Sequence, residues 1–161
     1  MTACPVITRI WDYGWLAGDE VELLPAASER DLVAQYVAST AFHTSFLPSD
    51  KDETGIHGPF VAGRIAPTDF EPFEESVLRD YLAALLYSPE WDSPASEEQF
   101  AAVLEQLQKP FAQGMRCFLL KFDEASSDLH HDWGFVLTVF REFLFLGRRP
   151  GLITRFVIGY D

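Results

Sequence analysis

Four histidines and a few carboxylates near them are the residues of this chain best equipped for chemistry. Asp128, His130 and Asp132 alternate, so in an extended segment their side chains point the same way. A carboxylate–imidazole–carboxylate set can bind a divalent metal. Asp132 can also orient His130 or His131 as a general base. The same stretch holds Ser126 and Ser127 and joins two strand-like runs, where polar residues gather without doing chemistry. His43 and His57 are the other candidate bases. A serine or cysteine nucleophile needs such a base within hydrogen-bond reach, yet the chain has no G-x-S-x-G elbow and no H-E-x-x-H. His43 follows the first helix, where it can serve to cap the last carbonyls. His130, His131, Asp132, His43 and His57 are thus the catalytic candidates of one alternative reading, a small metal-dependent or His/Asp hydrolase.

Asp50, Asp52, Thr54 and Gly55 resemble the opening of a calcium loop, but its twelfth position is Val61 where a bidentate Glu belongs. No metal site is expected there. The glycine-rich phosphate loop, the dinucleotide fingerprint and the zinc spacings are also missing, so no cofactor is expected. The two cysteines, Cys4 and Cys117, form no CxxC pair. Cys117 lies in an apolar run and reads as a small buried hydrophobe.

Two further groups are chemically suggestive. Trp11, Tyr13 and Trp15 share one face of a strand expected over 6–16, and exposed they would form a stacking or protein-contact platform. Most such rows are core, and at least one of the two tryptophans is expected there. Arg148 and Arg149, the adjacent basic pair, can clasp a phosphate or carboxylate, but a charged hairpin tip that discourages edge pairing explains them as well.

The elements that would position these groups follow from periodicity. Ser28, with Asp31 three residues on, begins a helix whose apolar face is Leu32, Val33, Tyr36 and Val37 and which is expected to end near Thr40. A second helix is expected from about Pro72 to Tyr87, and a third from Ser96, with Gln99 completing a capping box, to Pro110 or Gly114. Residues 47–59 read as a surface loop and 60–65 as a short strand. Residues 115–122, 133–146 and 152–160 read as three strands. The turn at 147–151 makes the last two a hairpin; a four-residue loop would set Glu142 opposite Arg155. Both faces of Phe135–Leu146 are apolar, so that strand should be central. Together these predict one α+β domain over 1–161: an antiparallel sheet with a C-terminal three-strand meander, packed by two or three helices, expected on one face.

Charge orders the functional expectations. Acidic residues number 25 and basic residues 12, for a net charge of −13. Residues 1–100 hold 18 acids against 5 bases, while 101–161 hold 7 of each, so the surplus belongs to the first 100 positions. Such a field disfavours nucleic acid and anionic lipid and attracts basic proteins. Arg9 and Asp12 interrupt the apolar N-terminal stretch, and no run approaches the ~20 apolar residues of a membrane helix, so neither signal peptide nor span is expected and the location expected is cytoplasmic. The leading expectation is a non-enzymatic acidic binding protein, an inhibitor or immunity-type protein, that captures a basic protein partner. Asp19, Glu20, Glu22, Asp50, Asp52 and Glu53, read as loop acids without an intramolecular task, are its contact candidates. The other alternative is a self-associating assembly subunit, motivated by the apolar strand.

Overall fold

The computed structural model describes the backbone of residues 6–11 and the full residues 13–44, 46, 55–89, 93–121, 130 and 139–160. Its elements are β1 (Val6–Trp11), β2 (Gly14–Glu22), α1 (Glu29–Val37), β3 (Ile56–His57), β4 (Phe60–Val61), β5 (Phe70–Phe73), α2 (Glu75–Leu86), α3 (Glu97–Ala112), β6 (Arg116–Leu120), β7 (Val139–Leu146) and β8 (Leu152–Tyr160).

Local chemistry sets the helix ends. Ser28 Oγ accepts from the backbone N–H of Asp31 at 3.1 Å, and Glu29 and Asp31 place negative charge in the first turn of α1. That helix stops at Val37, short of Thr40, because Thr40–Phe42 tightens into a 3-10 turn. In α3 the capping box is reciprocal: Gln99 N–H donates to Ser96 Oγ at 3.2 Å and Ser96 N–H to Gln99 Oε1 at 2.7 Å. Pro110 is carried inside the last turns of α3, and Gly114, at φ +76°, reverses the chain after them.

Three segments differ from the pattern in the sequence. The expected strand over 6–16 is two strands: β1 folds back on β2 with Arg9 opposite Trp15 and Trp11 opposite Gly14. The expected start of α2 at Pro72 is instead strand β5, which pairs with β6 from Phe70↔Leu120 to Phe73↔Cys117. Pro72 lacks an N–H for a ladder, and β5 is an edge strand, where that costs nothing. Residues 60–65 hold only the short strand β4 before a 3-10 turn at Ala62–Arg64, and β4 pairs with β3 inside what read as loop.

Six strands form the main sheet in the order β1-β2-β8-β7-β6-β5, every neighbouring pair antiparallel. The C-terminal strands β6, β7 and β8 are the expected meander. Of the expected third-to-last and second-to-last strands, residues 122 and 133–138 lie outside the described residues. Six residues, 147–152, separate the paired Leu146 and Ile153, which sets Leu144 opposite Arg155 and Glu142 opposite Val157. The expected Glu142–Arg155 register is thus off by two positions. A slip of two leaves each side chain on its original face.

Helices cover both faces, not one. On the first, α1 buries Leu32, Val33 and Tyr36 against Leu144, Ile153 and Val157. On the second, α2 and α3 bury Leu78, Leu82, Leu86, Val103 and Leu107 against Phe143, Phe145 and Ile158. That is why β7 is apolar on both sides: Phe140, Leu144 and Leu146 serve one core, Val139, Phe143 and Phe145 the other. Each such side chain contributes on the order of 1.5–3 kcal/mol. No helix among the described residues is long and apolar enough to cross a membrane.

Candidate functional site: a buried chain of ion pairs

The first core is interrupted at its centre. On the face covered by α1, alternation along β2, β8 and β7 turns Asp19, Arg155 and Glu142 inward with their apolar neighbours. Asp19 and Arg155 are direct cross-strand partners, and Glu142 sits one strand further on, opposite Val157. Tyr36 reaches down from the last turn of α1, and His57 from β3. Glu142 and His57 are 0% exposed and Arg155 2%.

These groups form one continuous hydrogen-bonded chain. Arg155 grips Asp19 with two parallel bonds, Nε to Oδ1 at 2.7 Å and Nη2 to Oδ2 at 2.5 Å. Its Nη1 donates to Tyr36 Oη at 2.9 Å and to the Ala41 carbonyl at 3.0 Å. Tyr36 donates to Glu142 Oε1 at 2.5 Å. The other carboxylate oxygen, Oε2, faces His57 Nε2 at 2.6 Å, and His57 Nδ1 faces the Phe42 carbonyl at 2.6 Å. Both ring nitrogens of His57 therefore meet atoms that only accept, and both are satisfied only if both carry a proton. With His57 an imidazolium, the set holds two negative and two positive charges and cancels.

Aromatic rings wall the chain in. His57 lies flat on Phe42, centroids 3.8 Å apart and 9° from parallel. Phe46 covers Arg155, its ring centroid 4.9 Å from the guanidinium carbon, and stacks on Trp15 at 6.3 Å. Phe46 takes a left-handed backbone, φ +59°, to do so, at a cost of about 1–2 kcal/mol. Gly58, at φ +51°, lies where a Cβ would overlap the Phe140 ring, so the β3–β4 turn seats directly on β7.

Burial opposes the charge on Glu142 more than any other single influence, but His57, Arg155 and Tyr36 together outweigh it and hold the carboxyl below its usual range. Burial, then the Glu142 charge, pushes the Tyr36 phenol well above its ordinary value, so it stays a donor. Burial also works against Arg155, but Tyr36, Asp19 and Glu142 overcome it and bind its proton more tightly than usual.

Chemically, the set is closed on itself. Both ring nitrogens of His57 are engaged inside the core, by the Phe42 carbonyl and by Glu142, so as placed the ring has no free nitrogen to offer a substrate. His43 is exposed, and its Nδ1 accepts from Gly55 N–H at 3.3 Å, so its ring does not cap α1. His130 is half-buried in an isolated bridge to Phe60, with the two rings 5.4 Å apart. The three described histidines thus gather around one excursion of the chain, each against a phenyl ring: Phe42 for His43 and His57, Phe60 for His130. His131 and Asp132, with Asp128, lie outside the described residues. No cluster of three His, Cys, Asp or Glu able to hold a metal occurs among the described residues.

The acids expected in loops are placed differently. Asp19, Glu20 and Glu22 are on β2, and each has a basic partner: Asp19 has Arg155, Glu20 has Arg148 at 2.6 Å, and Glu22 has Arg149. Arg148 and Arg149 thus fold back on β2. Asp50, Asp52 and Glu53 lie outside the described residues. Of the aromatic row, Trp15 is core, Tyr13 is 58% exposed in the β1–β2 turn, and the Trp11 side chain is not among those described.

Sequence reasoning missed Tyr36 as a polar group, having counted it as helix core. It singled out Glu142 and Arg155 as partners but not as buried ones. The signal was there: each is a lone charge at an inward position of a strand otherwise apolar on that face. No family model matches this chain, and no curated protein or solved structure matches it.

Proposed function

We propose that this chain is a non-enzymatic acidic binding protein that captures a basic protein, in the manner of an inhibitor or immunity-type protein. The observation supporting this is where unpaired acid remains. Glu29, Glu71 and Glu105 are matched by Arg116, Lys121 and Lys109, and the acids of β2 by Arg148, Arg149 and Arg155. Glu74, Glu75, Asp80, Glu97 and Glu98, all exposed on α2, α3 or the residue before α2, have no basic partner among the described residues. The α2–α3 layer therefore carries a net negative outer surface on a rigid support, which suits fast, salt-sensitive capture of a positive partner. The motive for a self-assembling subunit, the apolar faces of β7, is met inside the chain by its own helices.

The test is capture from an extract of the native host at low and high salt, followed by association kinetics with whatever basic protein is retained. Converting Glu74, Glu75, Asp80, Glu97 and Glu98 to amides is expected to slow association by about tenfold or more and flatten its salt dependence, with folding intact. Converting Asp50, Asp52 and Glu53 in the same assay reports on the loop acids. Retention of no basic protein at low salt, or unchanged kinetics in both variants, refutes the proposal.

A further inference from the structure

α2 is apolar on two sides. Leu78, Leu82 and Leu86 recur at helical spacing and are buried against the sheet. Tyr81 turns inward with them, edge-on to Phe73 and Phe143. On the opposite side Val77, Asp80, Ala84 and Tyr87 follow one another at steps of three, four and three residues. At 3.6 residues per turn they occupy about a quarter of the helix circumference. All four are exposed, Val77 at 48% and Tyr87 at 40%. An ordinary surface helix is polar on this side. The stripe is held firmly: the Tyr87 ring stacks on Phe100 of α3, centroids 5.0 Å apart. That contact also brings the first turn of α3, with Glu97 and Glu98, beside the end of the stripe. Arg79, the one base of α2, leans over the same Phe100 ring.

We propose that the outer face of α2 receives a basic amphipathic helix of the captured partner, an inference that rests on the acidic binding reading above and names the partner's contact element. Spacing selects a helix. Apolar groups at alternating three- and four-residue steps match the seam of a facing helix, whereas an extended segment would need a period of two. Charge selects a basic one. Glu74 and Glu75 stand at the start of the stripe, Asp80 within it, and Glu97 and Glu98 beside its end, all without a basic partner among the described residues. A Lys or Arg facing Asp80 would fix the register, as a single polar group does in a helical seam. A second copy of this chain would bring the same acids and a charge of −13 against them, which opposes pairing with itself.

Two peptides of equal composition and charge test this on the intact chain. One is built of leucine and lysine with the leucines at three- and four-residue steps, so that they share one helix face; the other is a scramble in which they do not. Amide spectra of the ¹⁵N-labelled chain report affinity and place. At low salt the patterned peptide is expected to bind about tenfold or more tightly than the scramble, to become helical on binding, and to shift the amides of Val77, Asp80, Ala84 and Tyr87. Val77→Ser is expected to weaken it about tenfold, the loss of one buried valine contact. Leu24→Ser, at the 76% exposed side chain between β2 and α1, is expected to leave it unchanged. Equal, salt-sensitive binding of both peptides, shifts confined to other surfaces, or an unchanged affinity in Val77→Ser overturns the helix and leaves the acidic-capture reading standing. Binding of neither peptide overturns the helix and, joined with an empty capture assay, that reading with it. Self-association at micromolar concentration that is lost in Val77→Ser would make a second copy the occupant and overturns the proposal too.

Discussion

Replacing Glu142 by glutamine changes one oxygen to an NH2 group and removes one charge from a site with no access to water. The wild-type carboxylate faces His57 at 2.6 Å and accepts from Tyr36 at 2.5 Å, while Asp19 answers Arg155. Without it the Tyr36 and His57 side of the buried set loses its charged acceptor, and the new NH2 group must be buried among groups arranged to meet an acceptor. Breaking a buried pair by removing one partner costs about 3–5 kcal/mol, a large share of the 5–15 kcal/mol typical of a whole domain. Glu20→Gln removes a pair whose side chains are 57% and 45% exposed and is expected to cost about 0–1 kcal/mol. Urea unfolding followed by tryptophan fluorescence at pH 7 compares the two. The double variant His57→Gln, Glu142→Gln restores a neutral match and should be less damaged than the singles predict, by roughly 0.5–3 kcal/mol of coupling. The acid limb gives a second check. The Glu142 carboxyl titrates lower in the fold than in the open chain, so its contribution is present above the ordinary glutamate range and disappears as pH falls through the folded value. Glu142→Gln should therefore lose part of the wild-type dependence on acid. If Glu142→Gln costs no more than Glu20→Gln, or if the double variant is simply additive, the buried set is not a connected unit and the reasoning fails.

One further outcome is expected from the rest of the fold. Burial against α2 and α3 pushes the Cys117 thiol up, so in a Cys4→Ser background Cys117 should not react with a thiol reagent at pH 8 in the native state, and its reactivity should rise together with unfolding in urea. Reaction in the native state would contradict the burial of that strand.

Much of the fold was legible because it rests on local chemistry. Ser28 with Asp31 and Ser96 with Gln99 cap the helices that their spacing announced. The double-sided apolar run of β7 announced a central strand, and it lies between β8 and β6. What failed did so where the decisive partner is remote in sequence. Phe70–Phe73 has too few residues to display a strand period, and only its ladder to β6 makes it one. The Glu142–Arg155 register turned on whether four residues or six separate the closing pair of the hairpin. The site was hidden for the same reason. Tyr36 and Glu142 are 106 positions apart and Asp19 and Arg155 136, and each alone reads as a core tyrosine or a surface charge. A lone charge on the apolar face of a strand marks a buried pair, but alternation identifies the face and not the partner.

The buried set also bears on how the net charge of −13 is displayed. Had Asp19 and Glu142 been surface acids, the negative field would surround both sides of the sheet. Instead Asp19 is paired with Arg155 and Glu142 is held by His57 and Tyr36 inside the core, while Glu20 and Glu22, on the same strand as Asp19, are answered by Arg148 and Arg149. The C-terminal third, neutral in itself, thus spends three arginines on acids of β2 and so removes negative charge from the first hundred residues where it lies against the sheet. Among the described residues five of the seven remaining acids lie on α2, α3 and the residue before α2, the other two being Asp31 on α1 and Asp69 before β5. A potential concentrated on one layer steers a partner into one orientation, whereas the same charge spread over the molecule would only repel copies of itself. For this reason the α2–α3 surface, and not the acids of β2 that the sequence first singled out, is where neutralisation should be felt by a basic partner.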